Sequence, residues 1–158
     1  MTRISQHTEE AAAAVAMVLA DLRSASAMPP SEWATAVDEV ESLGRLVDAA
    51  RVAIAAAAAS SGRALPAVAE PLGARSGADA LASCAGISES EARRRIRLAE
   101  ALTPDLSITG AVMSERYPEL AAAMRDGRIG IEAAGVIVRE LDAVRIRADL
   151  DDLAATED

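Results

Sequence analysis

The sequence predicts an all-α fold on three observations. Alanine, the strongest helix former, makes up about a quarter of the 158 residues. Apolar side chains recur at spacings of three and four. Glycine and proline gather at a few points and divide the chain into segments of helical length. The expected architecture is a long N-terminal helical hairpin over residues 1–62, a linker over 63–75, and a cluster of short helices over 76–158. The apolar fraction of 51% suffices for a core, but Phe is absent and Trp33 and Tyr117 are the only aromatic residues. Small side chains each bury little area, so the helices must approach closely or find a partner.

Thr8 is a candidate cap for the first helix, with Glu9 and Glu10 well placed against its dipole. Val15, Val18, Leu19 and Leu22 fall on one face. Met28-Pro29-Pro30 turns the chain, and Ser31 is expected to cap a long second helix reaching about Ser60. Along it Trp33, Val37, Val40, Gly44, Val47 and Ile54 trace a near-heptad seam. Two uses of that seam stay open, packing within the hairpin or a homodimer through it. Pro66, Pro71 and Gly73 mark the linker.

The stretch from Ser76 to Leu102 organises the second half of the chain. A short helix should run to Ala85, and Gly86 should supply the positive-φ turn. Ser88 and Glu91 read as a capping box for the next helix, which should stop near Thr103-Pro104. Two helices, a glycine turn and an arginine-rich second helix are the parts of a helix-turn-helix; Ala82 and Gly86 have its spacing, whereas Arg95 stands where an apolar residue is expected. Residues 105–116 are ambiguous, with Ile108, Val112 and Met113 favouring a helix and Gly110 opposing it. Pro118 suits the first turn of a helix to Asp126, Gly127 ends it, and a further helix runs to Leu141, followed by another over Val144–Leu153. Gly86–Ala92 and Gly127–Ala133 echo each other as two similar turns into helices. The expected core is Ile87, Ala92, Ile96, Leu98, Leu120, Met124, Ile129 and Val136, with Cys84 as a buried structural thiol.

All 16 basic residues are arginine, and the net charge is −9. Arginines balance acids only in the middle segment, so any anion-binding surface should lie there. Arg93, Arg94 and Arg97, with Ser90, share the face of the second short helix opposite Ala92, Ile96 and Ala99. Two readings of that face stay open. The guanidinium groups could hold DNA phosphates. Equally, Glu89–Arg93, Glu91–Arg95 and Arg97–Glu100 could form a salt-bridged solvated surface.

Other chemistry has little support. His7 is the only histidine and lies near the N-terminus, which argues against a histidine triad or a zinc site. Asp149, Asp151 and Asp152 read as a solvated face without ligand spacing, and no glycine loop is built for phosphates. No cofactor and no small-molecule substrate are expected. The apolar run Ala11–Ala20 is bounded by Glu9, Glu10 and Asp21 and is too short to span a bilayer, so a cytoplasmic protein without membrane contact is expected.

Leu72–Leu102 and Tyr117–Leu141 resemble the actinobacterial 13E12 repeat family, whose main region is catalogued as domain of unknown function 222. The matching features are Ala80-Leu81-Ala82, Gly86-Ile87-Ser88, Glu91-Ala92-Arg93-Arg94, Leu98-Ala99, and Pro118–Met124 running into Gly127-Arg128-Ile129. In that family the helical region usually precedes an HNH endonuclease domain, which needs histidines, an asparagine and a metal. This sequence has no asparagine. The resemblance therefore implies a non-catalytic, nuclease-associated helical region, associated with nucleic acid or acting as a dimerisation module.

Overall fold

The computed structural model describes residues 2–59, 69, 71–104, 112 and 114–156, leaving out the side chains of 24–25 and 146–156. The fold is all-α: α1 (Arg3–Asp21), a 3-10 helix (Leu22–Ala27), α2 (Pro30–Ala59), α3 (Gly77–Ala85), α4 (Glu89–Leu102), α5 (Pro118–Arg125) and α6 (Ile131–Thr156). No β-strand occurs among the described residues. None of these helices is long and apolar enough to cross a membrane. The chain divides into two compact units, Met1–Glu41 and Ser42–Asp158. The ambiguous stretch 105–116 and most of the expected linker fall largely outside the described residues.

In the first unit the helix begins earlier than expected. The Thr2 side chain, not that of Thr8, accepts the Ser5 N–H at 3.2 Å. Thr8 sits inside α1, where its hydroxyl donates to the carbonyls of Ile4 and Ser5 at 3.0 and 2.9 Å. α2 likewise starts one residue before Ser31. Pro30 occupies the first helical position, and the Trp33 N–H closes the first turn on the Pro29 carbonyl at 3.0 Å. α1 contains no buried residue, so the expected hairpin has no buried core from its first helix.

The second unit holds the core. α4 is its centre, burying Ala92, Leu98, Ala99, Ala101 and Leu102. Val52 and Ala55 of α2, Leu120, Ala121 and Met124 of α5, and Ile131 and Ala134 of α6 complete the cluster. Among the expected core residues, Ala92, Leu98, Leu120 and Met124 are buried; Ile87, Ile96 and Ile129 are half-buried. Val136 is instead exposed. Ile131, Ala134 and Val138 set the inward face of α6, and Val136 lies two residues, about 200°, from Ala134. α6 also runs without the break expected after Leu141, because neither Asp142 nor Ala143 stops a helix.

Gly86 (φ +64°) ends α3 with its N–H on the Ala82 carbonyl, and the Ser88 hydroxyl accepts the Glu91 N–H at 3.2 Å to start α4. Only half of the expected capping box forms, since the Glu91 carboxylate is taken by arginines of its own helix. Cys84 is exposed, contrary to expectation. It lies at the right angle around α3, but in a final turn where Ser83, Cys84 and Ala85 all stand clear of the core.

α2 clamps the turn between α5 and α6. Arg45 Nε donates to the Gly127 carbonyl at 2.6 Å, and Asp48 Oδ2 accepts the Ile131 N–H at 3.2 Å. One turn of α2 thus satisfies an orphan carbonyl past one helix and an orphan N–H opening the next. Asp48→Ala should cost about 1–2 kcal/mol, the loss of a capping carboxylate. Urea unfolding followed by circular dichroism measures it, and Asp48→Asn, which keeps an acceptor, should recover part of the loss.

Candidate functional site

α4 carries every candidate residue, and the buried stripe from Ala92 to Leu102 turns its arginines outward. Arg93 is exposed and its Nη2 donates to Glu89 Oε1 at 2.6 Å. Arg94 is half-buried and bridges two elements: Nε donates to Glu91 Oε2 at 2.8 Å and Nη1 to Glu132 Oε1 of α6 at 3.1 Å. Those hydrogen bonds, Glu91 first, raise its pKa. Arg95 is more enclosed, and its Nε donates to Glu91 Oε1 at 2.8 Å. Where a helix-turn-helix expects an apolar side chain, this chain satisfies a guanidinium with a carboxylate. Ser90 is exposed, with its hydroxyl 2.9 Å from that of Ser88.

Glu91 therefore holds two guanidinium groups. Hydrogen bonds from Arg94 lead those from Arg95 in pulling its carboxyl below the ordinary 4.5, against an opposing effect of burial. A depressed carboxyl contributes stability above its unfolded pKa, and that contribution is lost as pH falls through the folded value. Glu91→Gln should therefore cost about 1–2 kcal/mol at neutral pH. The gap from wild type should narrow below about pH 4.5. Urea unfolding at pH 7 and pH 3.5 tests both parts.

Arg97 differs from its neighbours. It is exposed and has no hydrogen-bond or ion-pair partner among the described residues; the expected pair with Glu100 does not form. It stands between two grooves. One, of about 540 Å³, runs beside Arg75, Arg93 and Ile96. The other, of about 660 Å³, lies between α4 and α6 with Leu98, Ile131 and Val138 along it and Arg94, Arg116 and Arg139 at its sides. Each groove also carries acids. Asp142 accepts the Tyr117 hydroxyl at 2.6 Å and Arg116 Nη1 at 3.4 Å. Burial, then the bond to Asp142, raises the Tyr117 pKa. Glu132 and Asp142 were not legible as parts of this face, because each meets its arginine across more than twenty residues of sequence.

The structure therefore gathers Ser90, Arg93, Arg94 and Arg97 on one side of α4, but commits two of the three arginines to carboxylates. Among the described residues no cluster of His, Cys, Asp and Glu is arranged to hold a metal ion. His7 is exposed on α1, 3.4 Å from Glu10, and the side chains of Asp149, Asp151 and Asp152 lie outside the description.

A second surface is apolar. The seam expected along α2 exists, but Trp33, Val37, Val40, Val47 and Ile54 are all exposed. The buried residues of α2, Val52, Ala55 and Ala58, all lie in its last third. On α6, Ile137, Leu141 and Val144 are likewise exposed at helical spacing.

Comparisons with curated proteins and with solved structures return no match. The model of one family matches residues 34–158, from the first turns of α2 through α6, and the chain belongs to that family, described as a domain of unknown function, DUF222.

Proposed function

We propose that this chain is a non-catalytic helical protein-interaction module, the region that in 13E12 repeat proteins of actinobacterial type accompanies an HNH endonuclease domain. One observation carries the reading. Among the described residues, only six buried apolar side chains are larger than alanine: Val52, Leu98, Leu102, Leu120, Met124 and Ile131. Seventeen large apolar side chains of the described residues are exposed. Scattered exposed apolar residues are ordinary, but stripes of them along α2 and α6 are the surfaces that proteins reserve for partners. The pairing of Arg93 and Arg94 with carboxylates supports the same reading, since phosphates would have to displace those acids. The acidic residues bounding Ala11–Ala20 support a cytoplasmic setting.

Sedimentation velocity over a concentration series tests this reading. The expected result is association that rises with concentration and is unchanged by the combined Arg93→Ala, Arg94→Ala and Arg97→Ala substitutions. A chain that stays monomeric at every concentration would overturn it.

DNA contact is the second reading, favoured by the unpartnered Arg97 between two arginine-sided grooves. It predicts binding that weakens steeply with salt and disappears in the same triple variant. The non-catalytic part has its own test. Supercoiled plasmid incubated with the protein and magnesium or manganese should remain intact, because activating water needs a metal or a general base. Nicking abolished by Asp149→Asn, Asp151→Asn and Asp152→Asn together would contradict it.

A further inference from the structure

We propose that α2 pairs with the α2 of a second copy of this chain as an antiparallel coiled coil, with the two-fold axis passing between Gly44 and Val47. The inference rests on the interaction-module reading and names its partner and geometry.

The spacing is the first argument. Trp33, Val37, Val40, Gly44, Val47, Arg51 and Ile54 alternate steps of four and three through three heptads of one uninterrupted helix, and all seven are exposed. At 1.5 Å per residue that seam is about 31 Å long. By the helical angle it lies roughly 50–80° from the mean direction of Val52, Ala55 and Ala58. Ala58, the next position of the seam after Ile54, is buried, so the free seam ends at Ile54.

Gly44 is the second argument. A glycine inside a helix costs about 1 kcal/mol relative to alanine. A Cβ built at Gly44 meets nothing within 4 Å, so nothing among the described residues requires its small size. A second helix crossing there would. With the axis between Gly44 and Val47, Gly44 faces the partner's Val47, Val37 faces the partner's Ile54, and Val40 faces the partner's Arg51. The missing side chain then makes room for a valine on each side of the axis.

Charge chooses the direction. A parallel pair in register would set Arg51 against its own copy inside the seam. The antiparallel pair brings it beside the partner's Val40 and Glu41 instead. Glu32, Asp38, Glu39 and Glu41 make the first half of α2 acidic, whereas the second half carries Arg45 and Arg51 with Asp48. Antiparallel pairing sets unlike halves together and opposes the helix dipoles favourably. The interface is isologous and closes at two copies.

Cysteine cross-linking in a Cys84→Ser background, run beside sedimentation, tests the pairing. A mixture of Val37→Cys chains and Ile54→Cys chains should give a mixed disulfide on mild oxidation, and Val37→Cys chains alone should not cross-link. Val40→Glu with Val47→Glu should leave helix content unchanged and return the protein to monomer. Cross-linking of Val37→Cys alone, or association that survives the Val40 and Val47 changes, would overturn this pairing while leaving the interaction-module reading standing. A monomer at all concentrations would overturn both.

Discussion

Gly127→Ala should destabilise the second unit by about 3 kcal/mol, the sum of a backbone cost and a packing cost. Gly127 has φ +67°, which a residue with a side chain adopts at a cost of about 1–2 kcal/mol. A Cβ there would also lie 3.0 Å from both Cγ and Cδ2 of Leu46 and 3.4 Å from the Ser42 carbonyl. Moving Leu46 away disturbs the same helix that holds Gly127 through Arg45. Gly86 supplies the control. Its φ of +64° is nearly the same, but a Cβ there meets nothing within 4 Å. Gly86→Ala should therefore cost only the backbone part, about 1–2 kcal/mol. Urea midpoints of the two variants separate the contributions, and equal losses would show that Leu46 yields freely.

Leu98→Ala should cost about 3 kcal/mol, within the ordinary range for emptying a leucine site in a core. Leu98 is only 4% exposed at the centre of α4, and its neighbours in the cluster include small alanines that cannot swing in to fill the space. The loss weighs heavily because so few large side chains are buried. A domain with about 5–15 kcal/mol of total stability would give up a large share of it at one residue. Ile54→Ala removes a comparable amount of side chain from an exposed position and should barely change the stability of the dilute chain. Thermal unfolding at low concentration, with both variants side by side, measures the contrast. A similar loss at Ile54 would place it in a core the free chain already has.

Local signals in the sequence were sufficient where the physics is local. The Gly86 turn, the Ser88 cap, the stop at Thr103, Pro118 at the start of α5 and the turn at Gly127 each rest on one residue's backbone preference or short-range hydrogen bond. The inward face of α4 was readable for the same reason, since Ala92 and Ala99 repeat at helical spacing between charges. The burial of α2 was not readable. On an alanine-rich helix the large residues from Trp33 to Ile54 dominate the pattern, yet the core takes Ala55 and Ala58, whose small side chains let helices approach closely. Thr2 and Thr8 offer equivalent caps, and nothing local separates them. Nothing local marks Arg45 and Asp48 as clamping residues, because Gly127 and Ile131, their partners, lie over eighty residues away. At the candidate DNA face, helical spacing was enough to place Ser90, Arg93, Arg94 and Arg97 on one side of α4, but the reach of Glu132 to Arg94 depends on how α6 packs against α4.

The most direct measurement is the thermal midpoint of the wild-type chain as a function of its own concentration. If the exposed apolar side of α2 is completed by a second copy, the folded state is stabilised by mass action. The midpoint should then rise steadily with concentration, and the rise should vanish in the Val40→Glu, Val47→Glu variant. A midpoint that stays constant across the series, with the protein monomeric throughout, would contradict the account.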